Sequence, residues 1–215
     1  MRILAFDCAG AQCAAAIVAD GETLAERRIE SNRGHAQRLM PLLVELVAEA
    51  GLGFGDLDSF AVTTGPGSFT GIRVALAAAH GLALGTGKPI IGVTVFDIIA
   101  AQAAAAAKVP RLLVAIDSRR AELFVQLFEA AGVAESDPAM LAPDAVAGWA
   151  GPGPIMLAGD GAALLAPCFP AAVTADFPTL VDPAALARLA ATRQAGQAPA
   201  PFYLRPPDAV PARSR

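Results

Sequence analysis

Residues 65–73 read Gly-Pro-Gly-Ser-Phe-Thr-Gly-Ile-Arg. An apolar run, Phe60-Ala61-Val62-Thr63-Thr64, leads in, and an alanine-rich stretch of helical pattern leads out. Glycine tolerates positive φ and lets another backbone come close. Pro66 fixes its own φ and keeps Gly65 out of the helical region. The segment therefore predicts a tight strand-to-helix turn made of Gly65, Pro66, Gly67, Ser68, Phe69 and Thr70. Ser68 or Thr70 is placed to cap the helix, and the uncovered N–H groups there can take an anion or a partner carbonyl.

The turn sits inside a regular order of elements. Apolar periodicity predicts strands over 2–7, 13–19 and 22–28, with Asp20-Gly21 as a hairpin turn. Ser31-Asn32-Arg33-Gly34 breaks the chain. A helix over 35–50 carries Leu39, Leu42, Leu43, Leu46, Val47 and Ala50 on one face, with a kink or a late start expected at Pro41. Strand 59–64, helix 70–85 and strand 89–93 follow. This β-β-β-α-β-α-β order describes a mixed sheet with helices on its faces, as in actin-like and ribonuclease-H-like half-domains.

The pattern then begins again. Ile-Leu-Ala-Phe-Asp at 3–7 and Leu-Val-Ala-Ile-Asp at 113–117 both end a strand in Asp before a turn and another strand. The repeat predicts two related α/β half-domains, 1–107 and 108–200, with a cleft between them and a Pro-rich tail over 201–215. Helices are expected over 98–107 by alanine propensity and from Asp182-Pro183 to about 195. Residues 138–154 read as helix and loop, 155–158 as a strand, and the tail as irregular.

Composition excludes several classes. The chain of 215 residues is 55% hydrophobic and 17% charged, so a sizeable core is available. Mean hydropathy is positive, but Val74–Gly87 and Ala145–Gly159 are too short or too broken to span a bilayer. The first residues read as a strand and not as a signal peptide, and the expected setting is the cytoplasm. Net charge is −4, and no basic stripe marks an independent nucleic-acid binder. Cys8, Cys13 and Cys168 have no metal spacing and are expected as thiols.

The residues that could carry chemistry are few. Asp7 and Asp117 end strands at hairpins, where carboxylates can hold Mg–phosphate while turn amides cradle phosphate oxygens. With Cys8, Arg119, Gly159 and Asp160 they make a candidate cleft for ATP or ADP with Mg, although turn-forming explains each Asp as well. Cys8 and Gly10 stand where hydroxyls would serve phosphate better. His35 and His80 fall on different helices, so no metal centre is expected. Ser68 lacks the Gly-x-Ser-x-Gly spacing of a nucleophile elbow. The helix over 70–85 carries Gly71, Ala75, Ala78 and Leu82 on one side and Ala77, Gly81 and Gly85 on another. Internal packing and a helix-pair interface are both open readings of these small faces.

Several segments together resemble the TsaB (YeaZ) family over nearly the whole chain. They are 1–7, His35-x-x-x-Leu39-Met40-Pro41, the glycine motif 65–73, Gly81–Gly85, Ile91-Gly92-Val93, Ile116–Arg119 and Phe202-Tyr203-Leu204-Arg205. The resemblance implies an actin-like fold and a role in making threonylcarbamoyladenosine in tRNA. It implies a non-catalytic scaffold or activator that pairs with the catalytic paralogue TsaD, or with itself when TsaD is missing. It also implies work beside the ATPase TsaE, with tRNA met only through the complex. TsaD carries a metal-binding His-x-x-x-His where this chain reads Val93-Thr94-Val95-Phe96-Asp97-Ile98-Ile99. The partner face so implied comprises His35, Leu39, Leu42, Leu43, Leu46, Gly71, Arg73, Val74, Ala75, Ala78 and Leu82. The rival readings are an ATP-binding small-molecule kinase of the same superfamily and a peptidase.

Overall fold

A computed structural model of the chain describes residues 1–30, 34–104, 106–174 and 180–205. The first sheet holds β1 (Arg2–Asp7), β2 (Gln12–Ala19), β3 (Glu22–Glu30), β4 (Ser59–Thr63) and β5 (Ile90–Val93) in the order β3-β2-β1-β4-β5. β1 is antiparallel to β2 and parallel to β4. Between them run α1 (His35–Glu49) and α2 (Phe69–Thr86), and α3 (Val95–Ala104) leaves the sheet.

The second sheet repeats the plan. It holds β6 (Arg111–Asp117), β7 (Leu123–Glu129), β8 (Ala139–Leu141), β9 (Ile155–Ala158) and β10 (Val173–Thr174). Their order β8-β7-β6-β9-β10 is that of the first sheet, with β6 antiparallel to β7 and parallel to β9. The helices are α4 (Pro143–Ala150), the short α5 (Ala162–Leu165) and α6 (Pro183–Ala191). The repeat at 3–7 and 113–117 thus marks two copies of one topology, the actin-like α/β arrangement.

The last helix of each copy crosses over. α6 packs on the first sheet, along β1 and β2, whereas α3 packs on β6 and β9 of the second. The two helices also meet each other, and the main core runs through them from sheet to sheet. Period-2 alternation in β6 shows the division: Leu112, Val114 and Ile116 join that shared core, while Leu113 and Ala115 face a smaller one under α4 and α5. β1 is covered on both faces, which is why its residues from Ile3 onward are buried without alternation.

Several boundaries differ from those read in the sequence. α1 runs unbroken from His35 through Pro41, whose missing N–H would have faced the exposed Gln37 turn. α3 starts at Val95 because Thr94 Oγ1 accepts the Asp97 N–H at 3.1 Å; the alanine run had drawn the expected start three residues late. Asp182 caps α6 through the N–H groups of Ala184 and Ala185, as its sequence predicts, but the helix stops at Ala191. Residues 139–141 form a strand in a segment expected as helix and loop. α2 has 18 residues and mean hydropathy 1.2, long and apolar enough by those measures to cross a membrane. Its buried side, Ile72, Ala75, Leu76 and Ala79, packs toward β4 and β1. The break at 31–33 and the tail beyond 205 lie outside the described residues.

The glycine turn joins two loops by backbone contact. Ser68 caps α2 by accepting the Gly71 N–H at 3.2 Å, and the Ser68 N–H donates to the Ala9 carbonyl at 2.7 Å. A Cβ on Gly67 would lie 2.3 Å from the Ala9 oxygen, and one on Gly71 only 1.8 Å from the Cys8 oxygen. Side chains are excluded there because the β1–β2 turn lies directly on the head of α2. Gly71→Ala is expected to destabilise the chain by about 3 kcal/mol or more. Gly81, with nothing within 4 Å of its Cβ position, should gain up to about 1 kcal/mol on changing to Ala. Urea midpoints of the two variants check both signs.

Candidate functional site

The C-terminal segment straps the two sheets together. Pro199 packs on Gly92, and its carbonyl meets His80 Nε2 at 3.2 Å. The Phe202 N–H donates to the Thr64 carbonyl at 2.8 Å, and a Cβ on Gly65 would lie 2.7 Å from the Phe202 oxygen. Arg73 Nε donates to Tyr203 Oη at 3.0 Å. Arg205 pairs with Glu122, before β7, at 2.6 Å. The sequence marks Phe202–Arg205 only as a resemblance. Its structural signal was two aromatic residues inside a Pro-rich tail, a place where ring burial must outweigh chain entropy.

A cleft of about 1130 Å³ lies between the two copies. One wall is the β1–β2 turn with Ser68, Phe69 and Arg73; the other is the β6–β7 turn with Asp160; the strap supplies Phe202–Arg205. The Asp117 N–H donates to Asp160 Oδ1 at 2.9 Å, and the Arg119 N–H donates to Asp117 Oδ1 at 2.7 Å. The Arg119 guanidinium reaches Asp117 at 3.2 Å and Asp160 at 3.5 Å. Burial raises the Asp160 pKa, against the pull of the Asp117 amide and of Arg119. Gly159 holds φ +91°, and a Cβ there would meet the Ala115 oxygen at 2.2 Å. It shapes this corner without lining the cleft.

Of the candidate nucleotide residues, the structure brings Asp117, Arg119 and Asp160 together and leaves Asp7 and Cys8 out. Asp7 is fully buried beneath the first turn. Its Oδ1 accepts the Thr63 hydroxyl at 2.5 Å and the Ala9 N–H at 2.9 Å, while Oδ2 has no partner. Burial raises its pKa, and the bonds from Thr63 and Ala9 oppose that rise. Cys8 is buried with its sulfur 3.3 Å from that of Cys13; this contact and burial push the Cys8 thiol up. A Mg–phosphate unit does not fit these residues. The carboxylate that would face the metal is sealed, the Ser68 amide is taken by a carbonyl, and the cleft carboxylates are tied to Arg119. Among the described residues, no three His, Cys, Asp or Glu side chains gather as metal ligands. Ser68 Oγ caps its helix.

The helix faces sort differently from the sequence pattern. Leu39, Leu42, Leu43 and Leu46 are buried in the chain's own core, against β2 and β3. Gly71 and Ala75 are buried too, because that side of α2 lies on the sheet. His35 is buried at the cleft wall. Val74, Ala78 and Leu82 are half-buried, and Arg73 and Thr70 are exposed. The surface carries Met40, Pro41 and Val44 of α1 and Ala77, Gly81, Leu84 and Gly85 of α2, with Leu84 90% exposed. Amphipathic spacing finds a helix's apolar stripe, and here that stripe is the core side of α1.

Known proteins match this architecture. A family model described as TsaD, tRNA N6-adenosine threonylcarbamoyltransferase, covers residues 23–195. The tRNA threonylcarbamoyladenosine biosynthesis protein TsaB of Escherichia coli is 38% identical over 124 residues, 58% of this chain and 53% of its own length. A crystal structure from Pseudomonas aeruginosa, described as an uncharacterized protein with similarity to peptidase YEAZ, has a TM-score of 0.82 at 30% identity. That match covers 95% of this chain and 99% of the other. The chain belongs to the TsaB/YeaZ family. The TsaD family model matches most of it as well, over residues 23–195. It spans about half the length of the curated TsaB relatives it matches. The (R)-2-hydroxyglutaryl-CoA dehydratase component A of Acidaminococcus fermentans shares the fold alone, at TM-score 0.55 and 11% identity over 89% of this chain and 99% of its own.

Asp7 gives this TsaB/YeaZ-family chain a measurable pH signature. Its carboxyl titrates above the ordinary 3.8 when folded. The folded state therefore holds a proton that the unfolded chain has released, and stability falls as pH rises from about 3.8 through the folded-state pKa. Asp7→Asn removes that slope. Urea unfolding at a series of pH values should show wild type losing stability relative to Asp7→Asn over that window, with the two curves parallel above it.

Proposed function

We propose that this chain is a non-catalytic subunit in the synthesis of threonylcarbamoyladenosine in tRNA, docking on a TsaD-type catalytic subunit through the outer faces of α1 and α2. The observation that carries the reading is the outward face of α2. Leu84 is 90% exposed beside Ala77, Gly81 and Gly85, with Met40 and Val44 of α1 at 39% and 52%. A row of small residues lets a second helix approach closely, and exposed apolar side chains at its edge are costly until covered. The relatives' names support the pathway, and the match to the TsaD family model supports a partner of the same architecture. Non-catalysis is supported by the sealed Asp7, by the carboxylates tied to Arg119 and by the hydroxyl of Ser68 given to a cap.

On this reading the same face joins two copies of the chain when TsaD is missing. TsaE acts on the complex, tRNA is met only by the complex, and the setting is the cytosol. The chain's net charge of −4 agrees with weak binding of tRNA on its own.

The test is light scattering of the purified chain mixed with TsaD. A heterodimer mass is expected for wild type. Val44→Arg with Ala77→Arg should lower the affinity by at least about a hundredfold, since a buried unpaired charge costs several kcal/mol. Circular dichroism should be unchanged, because Val44 and Ala77 are both exposed. An intact complex with both substitutions present contradicts the assigned face.

A further inference from the structure

Arg73 is held in an unusual way. Its guanidinium carbon sits 3.7 Å from the Phe69 ring centroid and 5.9 Å from that of Tyr203. The two rings lie 5.1 Å apart, tilted by 32°. Nε is fixed by Tyr203 Oη at 3.0 Å. The side chain is thus pinned on one face and at one nitrogen, and its two terminal nitrogens meet no acceptor among the described residues. Arg119 and Arg205, which line the same cleft, are paired with Asp117, Asp160 and Glu122. Arg73 meets no carboxylate among the described residues.

A guanidinium stacked and oriented in advance loses little freedom when it binds. Its open edge matches the two oxygens of a carboxylate. Position says which carboxylate. Arg73, Ala77, Gly81 and Leu84 follow each other along one exposed side of α2. Whatever covers the apolar row therefore reaches Arg73 at its end. A nucleobase is the weaker fit, because Arg73 and Tyr203 already lie against Phe69.

We propose that Arg73 is the charged anchor of the docking face, pairing with an Asp or Glu side chain of the sister subunit, and that Tyr203 of the C-terminal strap is its positioning residue. This rests on the docking reading above and adds the chemistry that the partner must present. It ties partner recognition to the strap, since the Tyr203 hydroxyl exists at this place only while residues 199–205 lie across the sheet.

Titration calorimetry with TsaD at two salt concentrations tests it. Arg73→Gln should weaken binding at least about tenfold, and Arg73→Lys should recover only part of the loss. Tyr203→Phe keeps the ring and loses the hydroxyl, and should weaken binding about threefold. Wild-type affinity should fall with salt more steeply than that of Arg73→Gln. If wild type binds TsaD and Arg73→Gln binds within twofold of it, the anchor is wrong while the docking reading stands. If wild type does not bind TsaD, both fall. If Arg73→Gln leaves TsaD binding intact but weakens capture of tRNA by the complex, the ligand is an RNA phosphate and the proposal is overturned. Arg73 is exposed, so urea midpoints should drop only slightly, by the loss of one exposed cation–π contact and one hydrogen bond, and a small shift separates these outcomes from misfolding.

Discussion

Two carbonyls lying on two glycines fix how the first turn meets the head of α2. The oxygens of Cys8 and Ala9 occupy the space that side chains at Gly71 and Gly67 would need. That contact closes the first turn over Asp7, takes the Ser68 amide, and sets the angle at which α2 leaves the sheet. A helix head that could have faced an anion faces a neighbouring turn. The same contact that removes a phosphate cradle fixes the helix whose other side lies open.

The two halves of the chain share a topology but not a task. In the first copy, α1 and α2 are long and present an outer face. In the second, their counterparts α4 and α5 have only 8 and 4 residues, over a small core. The crossed helices α3 and α6 and the strap tie the copies together. The cleft between them is lined by arginines and aspartates that mostly satisfy each other. In this actin-like frame Asp7 is turned inward, while Asp117, Asp160 and Arg119 stay at the cleft and bind one another.

Much of this was legible in the chain. The strand–Asp–turn repeat at 3–7 and 113–117 gave both sheets, and Ser68, Asp182 and the glycine motif gave their helix starts. Long-range contact limited the rest. Helical spacing groups Leu39, Leu42, Leu43 and Leu46 correctly but says nothing of what they face, and here it is β2 and β3. On α2, small residues lie on both sides, so only the sheet's position decides that Ala75 is buried and Ala77 exposed. Asp7 reads as a cleft carboxylate until Gly67 and Gly71 bring the first turn down on it. Tyr203 and Arg73 are 130 residues apart in sequence, and no local pattern joins them.

The central claim is that this chain contributes a surface and not a reactive site. Hydrogen–deuterium exchange of the full chain, alone and with TsaD, tests it most directly. The account requires slowed exchange in 35–49 and 69–86, with residues 199–205 following, and little change at the cleft turn 117–122. Slowed exchange confined to 117–122 and 159–161, with α1 and α2 unaffected, would contradict it.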